Sequence, residues 1–255
     1  MPVGSGDAWA EDYERGRPGW PREVVTLPDV PATATVLDLG AGSGKLTRLL
    51  VPAFNRVIAV EPADVMRRIL GRICPRAELL SGTGQEIPVA DASVDAVFAA
   101  QAFHWFDDDH AVAEIARVLR PGGVLVVMWN LPAGPWEPST AGAEELLLSR
   151  IPRPNELSYD PLDLGQGSRY ASDEWALTGS LFDPLRAARL PNPQTLDREG
   201  LVAYYASMGW LADLPDEQRV PLLAEMRSLL LGASYRRQWD THLHWTRLAA
   251  TQDAS

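Results

Sequence analysis

The stretch that most restricts this chain is 36–47, VLDLGAGSGKLT. Val36, Leu37 and Leu39 form an apolar strand run with Asp38 near its end, and Gly40, Gly42 and Gly44 follow at once. From Lys45 the pattern becomes helical, with Leu46, Leu49 and Leu50 at one-turn spacing. Strand, glycine turn and helix are therefore read in order. Glycines let the backbone take positive φ and let a ligand approach closely. The next strand, 56–60, runs into Glu61, and an acid about 20 residues beyond such a turn is placed to bind ribose hydroxyls. The pattern points to an adenosine-containing ligand on an α/β sheet.

Two ligand classes fit that description. A dinucleotide site uses GxGxxG to seat a pyrophosphate on a helix N-terminus. Here the glycines run Gly40, Gly42, Gly44 and are followed by Lys45. Asp38 is a poor neighbour for phosphate and suits an ammonium group. S-adenosylmethionine has an ammonium, a sulfonium and no phosphate. The stretch resembles motif I of the class I S-adenosylmethionine-dependent methyltransferases, type 11-like. Three further segments are similar to that family: 12–18, DYERGRP, with its Y-x-x-x-R-P pattern; 92–97, ASVDAV; and 119–123, LRPGG. The run 102–107, AFHWFD, resembles a subgroup that includes trans-aconitate methyltransferase-like enzymes.

The resemblance implies a Rossmann-like class I methyltransferase fold: a mixed seven-stranded sheet, helices on both faces and an inserted lid. It implies S-adenosyl-L-methionine as cofactor and S-adenosyl-L-homocysteine as product. Asp38 is expected near the methionine ammonium, Gly40 and Gly42 against the cofactor, Glu61 on the ribose with Pro62 beside it, and Gly84 and Gln85 around adenine. Gln101 is expected at the same edge. Tyr13 and Arg17 belong to an arm expected to fold over the cofactor. Gly44 is open to a packing role, and Asp95 reads as structural.

Along the chain, helices are expected at 9–17, 22–27, from 45 to Pro52, 63–72 and 110–119, the last capped by Asp107–109. Strands are expected at 56–60, 77–80 and 94–99. The near-continuous apolar run of 94–100 suits a strand covered on both faces. The segment 119–123 reads as a turn into a fifth strand at 124–129. Strands alternating with helices argue a parallel sheet with right-handed crossovers. Prolines then interrupt 131–180, which reads as a lid or substrate-shaping insertion. A sixth strand is expected within 181–190, a helix capped by Thr195 or Asp197 through Met208, and a helix over 216–231 whose Pro221 is tolerated only in the first turn. A last strand is expected at 242–248. The organisation is thus an arm (1–30), a cofactor-binding core (31–130), the insertion (131–180) and a part completing the sheet (181–255).

Methyl transfer needs a nucleophile positioned in line with an electrophilic methyl group. A carboxylate acceptor is already ionised and needs no base, whereas an alcohol, phenol or amine gains from one. His104 is the candidate catalytic residue, as a general base, a substrate contact or a packing residue. Trp105, Trp136 and Tyr204 are the other substrate-side candidates. O-methylation of a small-molecule carboxylate or hydroxyl leads. N- or C-methylation, a non-methylating catalyst that retains the cofactor, and a noncatalytic regulatory protein are the alternatives.

Composition narrows the partners. Asp plus Glu number 34 against 23 Lys plus Arg, a net charge of −11, so the broad basic footprint of a nucleic-acid binder is missing. Cys74 is the only cysteine, so no intrachain disulfide forms. No apolar run reaches a membrane span, and 1–20 shows no secretory pattern. A cytoplasmic monomer or homodimer acting on a small molecule is expected, without nucleic acid, membrane or bound metal.

Overall fold

The computed structural model describes residues 6–106, 108–134, 137–150 and 181–249. The chain opens with α1 (Asp7–Gly16) and α2 (Glu23–Thr26), then β1 (Thr35–Leu39), α3 (Thr47–Leu50), β2 (Arg56–Val60), α4 (Asp64–Ile73) and β3 (Glu78–Leu80). Next come β4 (Val94–Ala100), a 3-10 turn at Phe103–Trp105, α5 (Asp109–Val118) and β5 (Leu119–Pro132). A 3-10 turn at Pro138–Thr140 leads into α6 (Ala141–Leu148). The last stretch holds β6 (Arg186–Pro191), β7 (Gln194–Leu196), α7 (Arg198–Ala206), α8 (Gly209–Ala212), α9 (Asp216–Leu229), β8 (Tyr235–Arg237) and β9 (Trp239–Arg247).

Seven strands form one sheet in the order β3-β2-β1-β4-β5-β9-β6. The pairs β3–β2, β2–β1, β1–β4 and β4–β5 are parallel. Winding proceeds outward from β1 through β2 to β3, then restarts on the other side of β1 with β4. Right-handed crossovers therefore put α3 and α4 on one face and α5 on the other. The reversal between β1 and β4 leaves a crevice beyond the carboxyl ends of those two strands, which is where such sheets bind ligands.

The chain divides into two compact units. Among the described residues, the first holds 19–106, 108–130, 181–190 and 241–249. In it Val36, Val57, Phe98, Val126 and Met128 pack against Leu46 and Leu50. Leu70 and Cys74 cover Ala59. Each large side chain buried this way contributes about 1.5–3 kcal/mol. The second unit holds, among the described residues, 6–18, 131–134, 137–150 and 191–240. Its core gathers Tyr204, Tyr205, Trp210, Met226 and Tyr235. Helix α1 lies on α7 so closely that a Cβ on Gly16 would sit 2.1 Å from the backbone nitrogen of Tyr204. The indole of Trp9 donates to the Ser207 carbonyl across the same contact.

Several expectations are corrected. The helix expected from Lys45 is regular only as α3, because Gly44 holds φ at +93° just before it. The segment expected as a turn at 119–123 belongs to β5: Leu119 pairs with Val94 and Val124 with Ala96, with a register shift that absorbs the extra residues. The last strand begins at Trp239, three residues early, and β6 begins only at Arg186. Pro221 lies beyond the first turn of α9 and leaves the Glu217 carbonyl without its usual amide donor. Asp108 and Asp197 do cap α5 and α7, accepting from Ala111 and Gly200 amides. Most of the 131–180 insertion, Trp136 included, lies outside the described residues.

The α1–α7 contact gives a direct test. Gly16→Ala places a methyl group on backbone that cannot yield, and it should lower unfolding free energy by about 3 kcal/mol in a chemical-denaturation series. A loss below half of that would mean the two helices separate without cost.

Candidate functional site

The site is built where β1 and β4 end. After Leu39 the chain turns through Gly40, Gly42 and Gly44, with φ of +71°, +55° and +93°. The amides of Gly40 and Ala41 donate to the Val60 carbonyl, which ties the turn to β2. The three glycines do different work. A Cβ on Gly40 would lie 2.6 Å from Cβ of Ala102, and one on Gly44 would lie 2.5 Å from Leu70. Both are packing positions. A Cβ on Gly42 would meet nothing within 4 Å, so this turn faces open space.

Two buried acids stand beside the turn. Glu61, just after β2, accepts from the Gly42 amide through Oε2 and from the Ala63 amide through Oε1, each at 2.9 Å. Burial raises its pKa. Pro62, next to it, is exposed. Asp38, in β1, accepts the Thr47 hydroxyl at Oδ2, 2.6 Å away. Its Oδ1 is buried with no hydrogen-bond partner. Burial, with a smaller contribution from the Glu61 charge, pushes the Asp38 carboxyl up to about 7. A buried carboxylate oxygen with no partner is costly unless a cation meets it. The ammonium of S-adenosylmethionine would supply such a cation, and the Glu61 carboxylate has the acceptor oxygens that ribose hydroxyls would need. The residues present fit the cofactor.

The loop after β3 borders the same crevice. A Cβ on Gly84 would lie 2.3 Å from Cγ of Phe106, so the Phe106 ring lies directly on the glycine. Gln85 donates its amide to Asp108 Oδ2, the cap residue of α5. Arg117 binds the carbonyls of Ile87 and Val89 and the carboxylates of Asp91 and Glu114. The guanidinium holds the Glu114 carboxyl down at about 2.

At the end of β4, Gln101 takes a left-handed backbone with φ +53°, at a cost of about 1–2 kcal/mol for a non-glycine residue. Its amide donates to Met128, and its Oε1 accepts from the Asn130 amide at 3.0 Å. Asn130 in turn donates to the Gly19 carbonyl and accepts the Thr241 hydroxyl. The 3-10 turn that follows carries His104, whose Nδ1 accepts the Trp129 indole N–H at 3.1 Å. The exposed ring of Trp105 lies 5.0 Å from His104.

The structure thus gathers Asp38, Gly40, Gly42, Glu61 and Gln101 around the two strand ends, with Gly84 and His104 on the loops that follow β3 and β4. Tyr13, Arg17 and Tyr204 form a cluster in the second unit. There Arg17 donates to the Ser207 hydroxyl and carbonyl and lies over the rings of Tyr13 and Tyr204. Tyr204 is wholly buried, with its hydroxyl accepting from Arg237. Sequence reasoning missed Thr47, Phe106 and Arg117. Thr47 sits within the motif itself, and Phe106 within the HWF run, so both left a signal; Arg117 left none. Asp95 is structural: it accepts the Thr35 amide and pairs with Arg120. Among the described residues no group of His, Cys, Asp and Glu is placed to hold a metal, and no helix is long and apolar enough to cross a membrane.

Comparison with known proteins agrees with this fold. A family model described as a methyltransferase domain matches residues 37–127. An uncharacterized methyltransferase of Mycobacterium tuberculosis is 51% identical over 118 residues, which are 46% of this chain and 49% of that protein. The match therefore spans about half the length of such relatives. An uncharacterized methyltransferase-like protein of Schizosaccharomyces pombe is 31% identical over 224 residues, covering 84% of this chain and 81% of its own. A malonyl-[acyl-carrier protein] O-methyltransferase of Methylococcus capsulatus is 44% identical over 101 residues, 37% of each chain. A solved structure assigned as a type II methyltransferase from Anaeromyxobacter dehalogenans superposes with TM-score 0.67 at 26% identity, over 92% of this chain and 99% of that one.

The buried Asp38 gives a pH-dependent signature. Its folded pKa lies above the ordinary aspartate value, so the ligand-free fold keeps a proton that the unfolded chain loses between roughly pH 4 and 7. Its contribution to stability is full below that window and is lost as pH rises through it. Asp38→Asn does not titrate there. The Tm difference, variant minus wild type, should therefore grow between pH 5 and pH 8 in calorimetry. Equal differences at both ends would mean that Asp38 is charged throughout.

Proposed function

Because the chain belongs to the class I S-adenosylmethionine-dependent methyltransferases, we propose that it is an enzyme that methylates a carboxylate oxygen of a small organic acid. The observation that carries the cofactor half of this reading is the partnerless Oδ1 of Asp38 beside the open Gly42 turn. That half is cation recognition with no phosphate in view.

When bound, S-adenosylmethionine would supply an electrophilic methyl group on its sulfonium, and a carboxylate acceptor, already ionised, asks the chain to move no proton. The chain's own residues bind and orient. Asp38 holds the ammonium, and Thr47 keeps that carboxylate aimed. Glu61 holds the ribose hydroxyls, and the loop carrying Gly84 and Gln85 borders the base. Gln101 and His104 stand at the β4 edge, with His104 and Trp105 toward the acceptor.

The carboxylate is favoured by two supports. The run 102–107 resembles that of trans-aconitate methyltransferase-like enzymes, and the similar Methylococcus protein is named for O-methylation of a malonyl group. The acidic balance of the chain supports a small-molecule acceptor over nucleic acid.

The test is incubation of purified protein with methyl-labelled S-adenosylmethionine and a panel of carboxylic acids, phenols and amines. A methyl product lost in mild alkali is expected. A base-stable product on nitrogen, carbon or a phenol would overturn the acceptor class, and failure to bind S-adenosylhomocysteine would overturn the cofactor reading.

A further inference from the structure

We propose that Trp129 is a positioning residue that sets the tautomer of His104, so that His104 meets the methyl acceptor as an Nε2–H hydrogen-bond donor and not as a base. The argument starts from donor chemistry. An indole nitrogen only donates. Trp129 Nε1 lies 3.1 Å from His104 Nδ1, so that Nδ1 uses its lone pair as acceptor. A neutral imidazole carries one proton, which therefore resides on Nε2. A proton on Nδ1 would face the indole N–H, and the contact would be lost.

Both partners are held by the fold. Trp129 is completely buried near the end of β5, with the His244 ring set edge-on 6.3 Å away. His104 sits on the 3-10 turn, two residues past Ala102, against which Gly40 is packed. The ring it stacks near, Trp105, is half exposed. The neighbouring strand-end pair is similar: the backbone amide of Asn130 donates to Oε1 of Gln101, which turns the oxygen end of that side chain toward β5 and its N–H end away. Two successive residues of β5 thus take up the acceptor atoms of two side chains at the β4 edge. What these side chains can offer a ligand is hydrogen, which suits an anionic acceptor.

A general base at this position would need a bare nitrogen toward the acceptor. The geometry gives the opposite polarity. For a carboxylate, the Nε2–H would hold one oxygen while the other attacks. That last step rests on the acceptor class proposed above; the tautomer does not.

The experiment is a long-range proton–nitrogen NMR spectrum of the uniformly 15N-labelled protein bound to S-adenosylhomocysteine, with His104 identified by its loss in His104→Gln. A protonated-type shift at Nε2 and a bare-type shift at Nδ1 are expected, and the reverse pattern overturns the proposal. Trp129→Phe keeps the ring and removes the N–H. It should populate both tautomers and lower kcat/KM about tenfold, the worth of one net hydrogen bond, with S-adenosylhomocysteine affinity unchanged. An unmoved tautomer ratio overturns the role of Trp129; should that variant not fold, the wild-type spectrum decides alone. His104→Gln, which keeps an N–H donor, should retain about tenfold more activity than His104→Leu, and equal loss in the two overturns the donor role. A base-stable product with the Nε2–H tautomer present would sink the acceptor class and leave the tautomer standing.

Discussion

A carboxylate buried at the end of the central strand, with one oxygen held by Thr47 and the other by nothing, is the constraint on which this site depends. Such a group is unfavourable by itself, because burial penalises its charge and no protein donor meets its second oxygen. The surrounding elements make sense as the means of keeping it there. The glycine turn brings backbone close without side chains, Glu61 clamps the Gly42 amide, and the Val60 carbonyl gathers the Gly40 and Ala41 amides. Stability is given up at one atom, and in the function proposed above that atom is where a ligand cation would sit.

The same logic extends to the neighbouring strand end. Gln101 is strained in its backbone, yet its side-chain oxygen is fixed by Asn130, which is itself fixed by Gly19 and Thr241. Strain of this kind persists only where the surroundings over-determine it. His104 follows directly and is fixed through Trp129. The β4 edge is therefore oriented from β5, one strand away, rather than from its own loop.

How much of this could be read from the chain depends on the range of the interactions. The strand, turn and helix around Gly40 were legible because apolar spacing and glycine placement are local. So were Asp38 and Glu61, since each sits one step from a strand end. Gly44 was open to a packing role, but the pairing with Leu70 is tertiary. The LRPGG segment looked like a turn because its residue types favour one, while the register shift that admits it to β5 is set by β4. Gly16 falls inside the helix expected at 9–17, and only the approach of α7 shows that it is a contact surface. Trp129 and His104 are 25 residues apart, and no periodicity relates an indole to an imidazole across two parallel strands.

Arg117 carries a consequence for cofactor affinity. One guanidinium holds two loop carbonyls and two carboxylates, so the segment from Ile87 to Asp91 is fastened to α5 before any ligand arrives. Phe106 and Asp108 fasten the stretch at Gly84 and Gln85 in the same way. A loop ordered in advance does not draw on binding free energy to become ordered. If adenine lies against this loop, as proposed above, it meets a preformed mould, and the entropy of shaping that mould is lost when the chain folds rather than at each turnover.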